Sequence, residues 1–232
     1  MALTPNSAKN IIVGASPLFL SLGTAGDSTL DPTAGTNKEA FSATSSYTDT
    51  LNAATTKWRN VGYTNNGLQI TYNPTYGSVT VDQLLDSAKL FKESMEVMIA
   101  TEMAEGTLEN VLAVFGQPGG GSSVTAVTAS ETLTSADPTS TTPKQLGMAA
   151  GALLAAPVER QLVAVGPAPE YNVSSYTKNE RVYYARRVLS VQQSQFSLAR
   201  NTPTTFPVTF RLLPESAYAG SEYGKIIDRV FA

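Results

Sequence analysis

From Glu96 to Ala104 the side chains alternate. Val97, Ile99, Thr101 and Met103 fall on one face, and Glu96, Met98, Ala100, Glu102 and Ala104 on the other. A period of two belongs to an extended strand, whose successive side chains point to opposite faces. The same pattern predicts strands at 57–64, 68–73, 78–82, 94–104, 159–166, 181–192, 195–200 and 205–213. Asn65-Asn66-Gly67 is a turn signal, because Asn and Gly tolerate positive φ. Residues 74–77 are read as a second turn, giving a hairpin and then a third strand. Pro207 lies inside the last run, so it is expected at an edge or a bulge.

Helical signals are few. Thr107 can cap a short helix, with Leu108, Val111, Leu112 and Phe115 as its apolar stripe and Gly116 as its stop. Leu84, Ala88, Phe91 and Met95 also sit at helical spacing, which leaves 84–95 open between helix and strand. About eight strands with one short flanking helix predict a mainly β fold, a sandwich or partial barrel. The chain reads as a single domain, 1–232. Its extensions are an N-terminal arm 1–10, a long loop 23–56, a Gly/Ser/Thr-rich loop 117–143 and a C-terminal arm 221–232. Polar low-complexity segments do not bury enough apolar surface to offset their ordering entropy. The two loops are therefore expected to pack on neighbouring subunits.

The zeros in the composition exclude whole classes of chemistry. There is no Cys and no His among the 232 residues. Disulfides, thiolate metal sites, His-ligated metals, Ser-His-Asp triads and cysteine nucleophiles are therefore out of reach. A carboxylate-only or Lys-based enzyme survives. The net charge is -3, from 16 basic and 19 acidic residues. That balance argues against a binder of nucleic acid that works by neutralising phosphates. The apolar run 11–22 has the length of a signal-peptide core, but Pro17 interrupts it and Lys9 is the only preceding basic residue. It is too short to span a bilayer, and is read as a buried first strand or arm.

Local motifs give little that is catalytic. The run 117–123 (QPGGGSS) lacks the Lys-Ser/Thr end of a phosphate-binding loop and follows a helix. Glu102 and Glu105 could be offered as a glycosidase pair, but sequence spacing cannot supply the required separation. Glu93, Glu96, Glu102 and Glu105 read better as a solvated or channel-lining face. Asn172-Val173-Ser174 matches the glycosylation triplet by chance. Arg181, Arg186 and Arg187, interleaved with Tyr183 and Tyr184, are either a nucleic-acid patch or arginine stems covering apolar surface. Trp58, the single Trp, is expected in a core or an interface.

Larger segments carry a resemblance. They are 58–68 (WRNVGYTNNGL), 79–83 (VTVDQ), 103–112 (MAEGTLENVL) and 210–214 (FRLLP). In this order they resemble the major tail protein, or tail tube protein, of long non-contractile tailed bacteriophages, over roughly residues 57–116 and 158–232. The resemblance implies a non-enzymatic β-sandwich with a flanking helix. Its copies would form a ring, typically a hexamer, and complete one large barrel. Stacked rings would make a tube in the virion tail, assembled in the host cytoplasm. Implied partners are further copies of the chain and the tail-tip initiator, tape measure and terminator proteins. DNA would pass through the lumen without specific binding. No cofactor, metal or membrane is implied.

A lumen of this kind must let a polyanion slide, which fixed cations would hinder and fixed anions or hydroxyls would not. Gln69, Thr71, Ser78, Thr80, Asp82, Glu96 and Glu102 are the candidate lumen-facing residues. Leu68, Ile70, Tyr72, Val79, Val81, Val97 and Ile99 would face a core. Candidate inter-subunit contacts are Ile11, Ile12, Leu18 and Phe19 near the N-terminus. At the C-terminus they are Tyr223, Ile226, Ile227, Val230 and Phe231. The competing readings are a capsid decoration or other virion ring protein, a secreted β-sandwich binding module using Trp58 or exposed tyrosines, and a carboxylate-only hydrolase.

Overall fold

The computed structural model describes residues 8–21, 41–54, 57–115, 159–170 and 177–232. Eight strands form one antiparallel sheet: β1 Leu18–Ser21, β2 Trp58–Asn60, β3 Thr64–Val79, β4 Lys89–Met103, β5 Arg160–Pro167, β6 Lys178–Ser190, β7 Phe206–Leu212 and β8 Gly224–Phe231. Two α-helices accompany them, α1 Tyr47–Ala53 and α2 Leu108–Phe115. The strand order is β2-β1-β5-β6-β7-β4-β3, and β8 also pairs with β6. Among the described residues the sheet is not closed on itself, so the mainly β, partial-barrel expectation holds.

Strand β6 exchanges neighbours along its length. Lys178 to Ala185 pair with β8, and Val188 to Ser190 pair with β7. The change coincides with a register shift against β5, between the pairs Leu162↔Ala185 and Arg160↔Val188. One extra residue in β6 bends the strand and re-aims its side chains. Arg186 fills the fork and is 1% exposed. Its Nε donates to the Ser221 carbonyl at 3.0 Å, and its guanidinium lies 3.7 Å from the centre of the Tyr218 ring. Gly224 opens β8 with φ 148°, and a Cβ there would fall 1.9 Å from the Tyr184 carbonyl oxygen. Only glycine permits that approach.

The sheet carries an apolar core on each face. One includes Leu20, Ile99, Met103, Leu162, Phe210 and Leu212 beneath α2. The other is formed by Phe19, Tyr47, Leu51, Trp58, Val163 and Tyr184 beneath α1. Strand β5 is sandwiched between them, which is why its apolar run is nearly continuous. Ser46 caps α1 by accepting from the Asp49 N–H at 3.1 Å. Thr107 caps α2 as expected, its hydroxyl accepting from the Asn110 N–H at 3.3 Å.

Several expectations need correction. Residues 74–77 are not a turn: β3 runs straight through them, and the reversal lies at 80–88. Asn66 and Gly67 do take positive φ, 60° and 68°. They form a bulge within β3, because the ladder jumps from Asn65↔Glu102 to Gln69↔Ala100. The open segment 84–95 resolves as strand from Lys89. Residues 195–200 are not a strand. Within loop 23–56 lies α1, and most of arm 221–232 is β8. Helix α2 buries Glu109, Asn110, Ala113 and Val114, so its predicted stripe is off by one position. Buried Asn110 decides this, donating from Nδ2 to the carbonyls of Val61 and Glu105, both at 2.9 Å. Loop 117–143, Gly116 and Asn172-Val173-Ser174 lie outside the described residues.

Pro207 behaves as its chemistry requires. Its carbonyl accepts from the Ser194 hydroxyl, on the side of β7 away from β4. The missing N–H lies on that same side, so the β4–β7 ladder loses no bond.

Candidate functional site

The site begins with the β3–β4 hairpin, whose strands are 16 and 15 residues long. Its pairs include Thr71↔Met98, Asn73↔Glu96 and Asn65↔Glu102. On the neighbouring strand β7, Thr209 pairs with Ala100 and Arg211 with Met98. Alternation puts Gln69, Thr71, Glu96, Glu102, Thr209 and Arg211 on the face turned away from the α2 core. The structure thus brings together four of the seven predicted lumen residues: Gln69, Thr71, Glu96 and Glu102. Glu96 is not a free anion, since its Oε1 lies 3.5 Å from Arg211 Nη1. Glu102 accepts from Asn65 Nδ2 at 3.3 Å. A cleft of about 180 Å³ opens on this face, lined by Asn66, Gln69, Glu102, Gln192, Ser194 and Thr209 among others. Hydroxyls and carboxamides dominate it.

The remaining three predicted lumen residues lie elsewhere. Because β3 continues through 74–77, Ser78 keeps the parity of Ile70 and falls on the opposite face. Thr80 and Asp82 belong to the 80–88 connection. Val79 shares the polar face, contrary to expectation. The predicted core side is only half right. Val97 and Ile99 are buried, but Ile70 is 44% exposed, Tyr72 59% and Val81 38%. Tyr76 and Leu90 continue this apolar strip into solvent. It reaches past the end of the core, along a strand whose outer side has no partner among the described residues. Sequence reasoning missed this feature, because the helical spacing at 84–95 concealed the second strand of the hairpin.

The predicted subunit contacts divide. Ile11 and Ile12 are exposed, whereas Leu18 and Phe19 are completely buried in the chain's own cores. Docking on a neighbour is therefore closed to Leu18 and Phe19 in this fold. Tyr223 packs against the α2 core and Ile227 against the α1 core. Ile226 is exposed, Val230 is half-buried and Phe231 is buried.

The basic cluster on β6 is fully engaged. Arg181 makes a two-pronged contact with Asp228, and Arg187 another with Glu159 at 2.8 and 2.9 Å. These hydrogen bonds raise both guanidinium pKa values. With Arg186 buried, the three arginines hold the fold and leave no open phosphate-binding patch. Arg59 reaches Asn110 Oδ1 at 2.6 Å, and burial lowers its pKa to about 10. Trp58 is 2% exposed, which removes it as a stacking platform. Glu102 and Glu105 are tied to different groups, Glu105 accepting from the Tyr63 N–H at 2.9 Å. Among the described residues there is no cluster of three or more metal-ligating side chains, and no helix is long and apolar enough to cross a membrane. No family model matches this chain, and no curated protein matches its sequence.

Proposed function

We propose that the chain is a self-assembling structural protein of a phage tail tube, acting as a wall element and not as an enzyme. The β3–β4 hairpin carries this reading. An edge strand of 16 residues whose outer side has no partner among the described residues is a ready template for another strand. Its exposed strip of Ile70, Tyr72, Tyr76 and Leu90 is a cost in water that a neighbouring copy would relieve. Ring closure would pair this edge with the next copy and complete a large barrel, leaving no open edge.

In such a barrel the polar face of β3, β4 and β7 lines the lumen. Gln69, Thr71, Thr209 and Glu102 offer passing phosphates no fixed positive charge, and Arg211 is paired with Glu96. At these positions the polyanion meets no unpaired cation. The remaining partners are those of a tail: an initiator at the tip, a tape measure inside and a terminator above.

Negative-stain electron microscopy of the purified chain across concentration, with and without tail-tip components, tests the proposal. Stacked rings or hollow tubes are the expected outcome. A chain that stays monomeric even with the tip components present overturns it in favour of a binding module. A map of the tube with Glu96 and Glu102 on its outside would overturn the lumen assignment alone.

A further inference from the structure

Asn66-Gly67 is the only Asn-Gly pair in the sequence. Such a pair is chemically labile wherever the glycine nitrogen can reach the asparagine side chain, since glycine has no Cβ to obstruct the approach. Folded structure usually suppresses this by fixing the backbone. Here the fold leaves the pair open. Both residues are exposed, and a Cβ built on Gly67 would meet nothing within 4 Å. Residues 66–68 have no register partner on β4. Thr101 Oγ1 donates to the Gly67 carbonyl at 2.9 Å, a contact that holds the acyl side and not the nitrogen.

We propose that Asn66 is a site of spontaneous deamidation in the folded protein. The Gly67 nitrogen attacks Asn66 Cγ; the new N–Cγ bond forms as the Cγ–Nδ2 bond breaks. The proton lost from the Gly67 nitrogen leaves with Nδ2 as ammonia, giving a cyclic succinimide. Water then opens either carbonyl of that ring, producing aspartate or isoaspartate. The net change is one water consumed and one ammonia released, without redox chemistry. The product places a new carboxylate in the cleft that Glu102 already lines. An isoaspartate inserts an extra backbone methylene at the bulge, where the ladder is already out of register and can accommodate it. The inference depends on the bulge alone and not on the proposed tube.

The experiment ages the intact folded chain at mildly alkaline pH beside a urea-unfolded sample, then maps the tryptic peptide 60–89 by mass spectrometry against unaged controls. The expected result is exchange of NH for O at Asn66, in both isomers, with the folded rate within about tenfold of the unfolded rate, because exposed irregular segments open at almost no free-energy cost. A folded rate slower than that overturns the proposal. So does the same gain in an Asn66→Gln variant, which would place the chemistry at Asn60, Asn65 or Asn73.

Discussion

Arg229 on β8 and Glu180 on β6 face each other across the ladder, with Nε 2.8 Å from Oε1 and both side chains almost sealed from water. Each also grips the segment that leads into α1. Arg229 Nη2 donates to the carbonyls of Ser42 and Ser45, at 2.9 and 2.6 Å. Glu180 accepts the Tyr47 N–H through both oxygens, at 2.8 and 3.1 Å. Replacing Arg229 by Met leaves a buried carboxylate without its cation, a change that costs about 3–5 kcal/mol. Urea unfolding should show that loss. An unchanged midpoint would mean that the pair does not hold α1.

The same pair sets a pH dependence. Burial raises the Glu180 pKa, and the Tyr47 N–H and Arg229 only partly offset it. The folded state therefore holds this proton more tightly than the unfolded state. The stability this group contributes is present below its ordinary value of 4.5 and is lost as pH rises through the raised folded pKa. Subtracting the stability–pH curve of Glu180→Gln from that of the parent should reveal a decline over that window. A difference curve rising with pH would contradict it.

Phe210 belongs to the core under α2 and is 2% exposed. Phe210→Ala should cost about 3–5 kcal/mol, the usual range for emptying an aromatic site. Leu85→Ser, in the fully exposed 80–88 connection, should change stability by less than about 0.5 kcal/mol. Thermal unfolding of both variants checks the contrast.

Gly224→Ala would force a methyl group onto the Tyr184 carbonyl at a positive φ. The strain is on the order of 1–3 kcal/mol. Hydrogen exchange should show it as faster opening of the β6–β8 amides, with β3–β4 unaffected.

Charging the exposed strip separates folding from assembly. Tyr72→Lys with Leu90→Lys adds two cations to a solvent-facing surface and removes nothing from either core. Circular dichroism should be unchanged while rings and tubes disappear from micrographs. Tubes that persist would mean that the strip is not the contact.

The alternation that began the sequence reading located β4, β6 and β7 well, because each buries one face and a one-residue slip would reverse every side chain, whereas β5, buried on both faces, reads as a continuous apolar run. It failed where burial stops. The distal hairpin is exposed on both faces, so nothing in residues 74–95 forces alternation, and chance helical spacing at Leu84, Ala88, Phe91 and Met95 filled the gap. Pro74 suggested a turn, yet β3 is an edge strand, and an edge tolerates proline. Of the polar face, Gln69, Thr71, Glu96 and Glu102 were legible from parity alone. Ser78 was misplaced because a turn was inserted before it. Helix α1 was hidden in a Ser/Thr-rich stretch, and Asn110 overrode the apolar stripe of α2 because its amide satisfies a buried carbonyl, that of Val61, and the part-buried one of Glu105.

The fork in β6 has a mechanical meaning. One continuous strand carries β8 along its first half and β7 at its far end, so it works as a torsion bar between two flaps of sheet. A load applied to the β3–β4 arm passes through β7 into three register pairs, Val188 to Ser190, flanked by the backbone bonds Val191 N–H to Thr209 and Leu213 N–H to Arg187, whereas β8 is fastened at eight pairs. Twisting should therefore concentrate at the short splice.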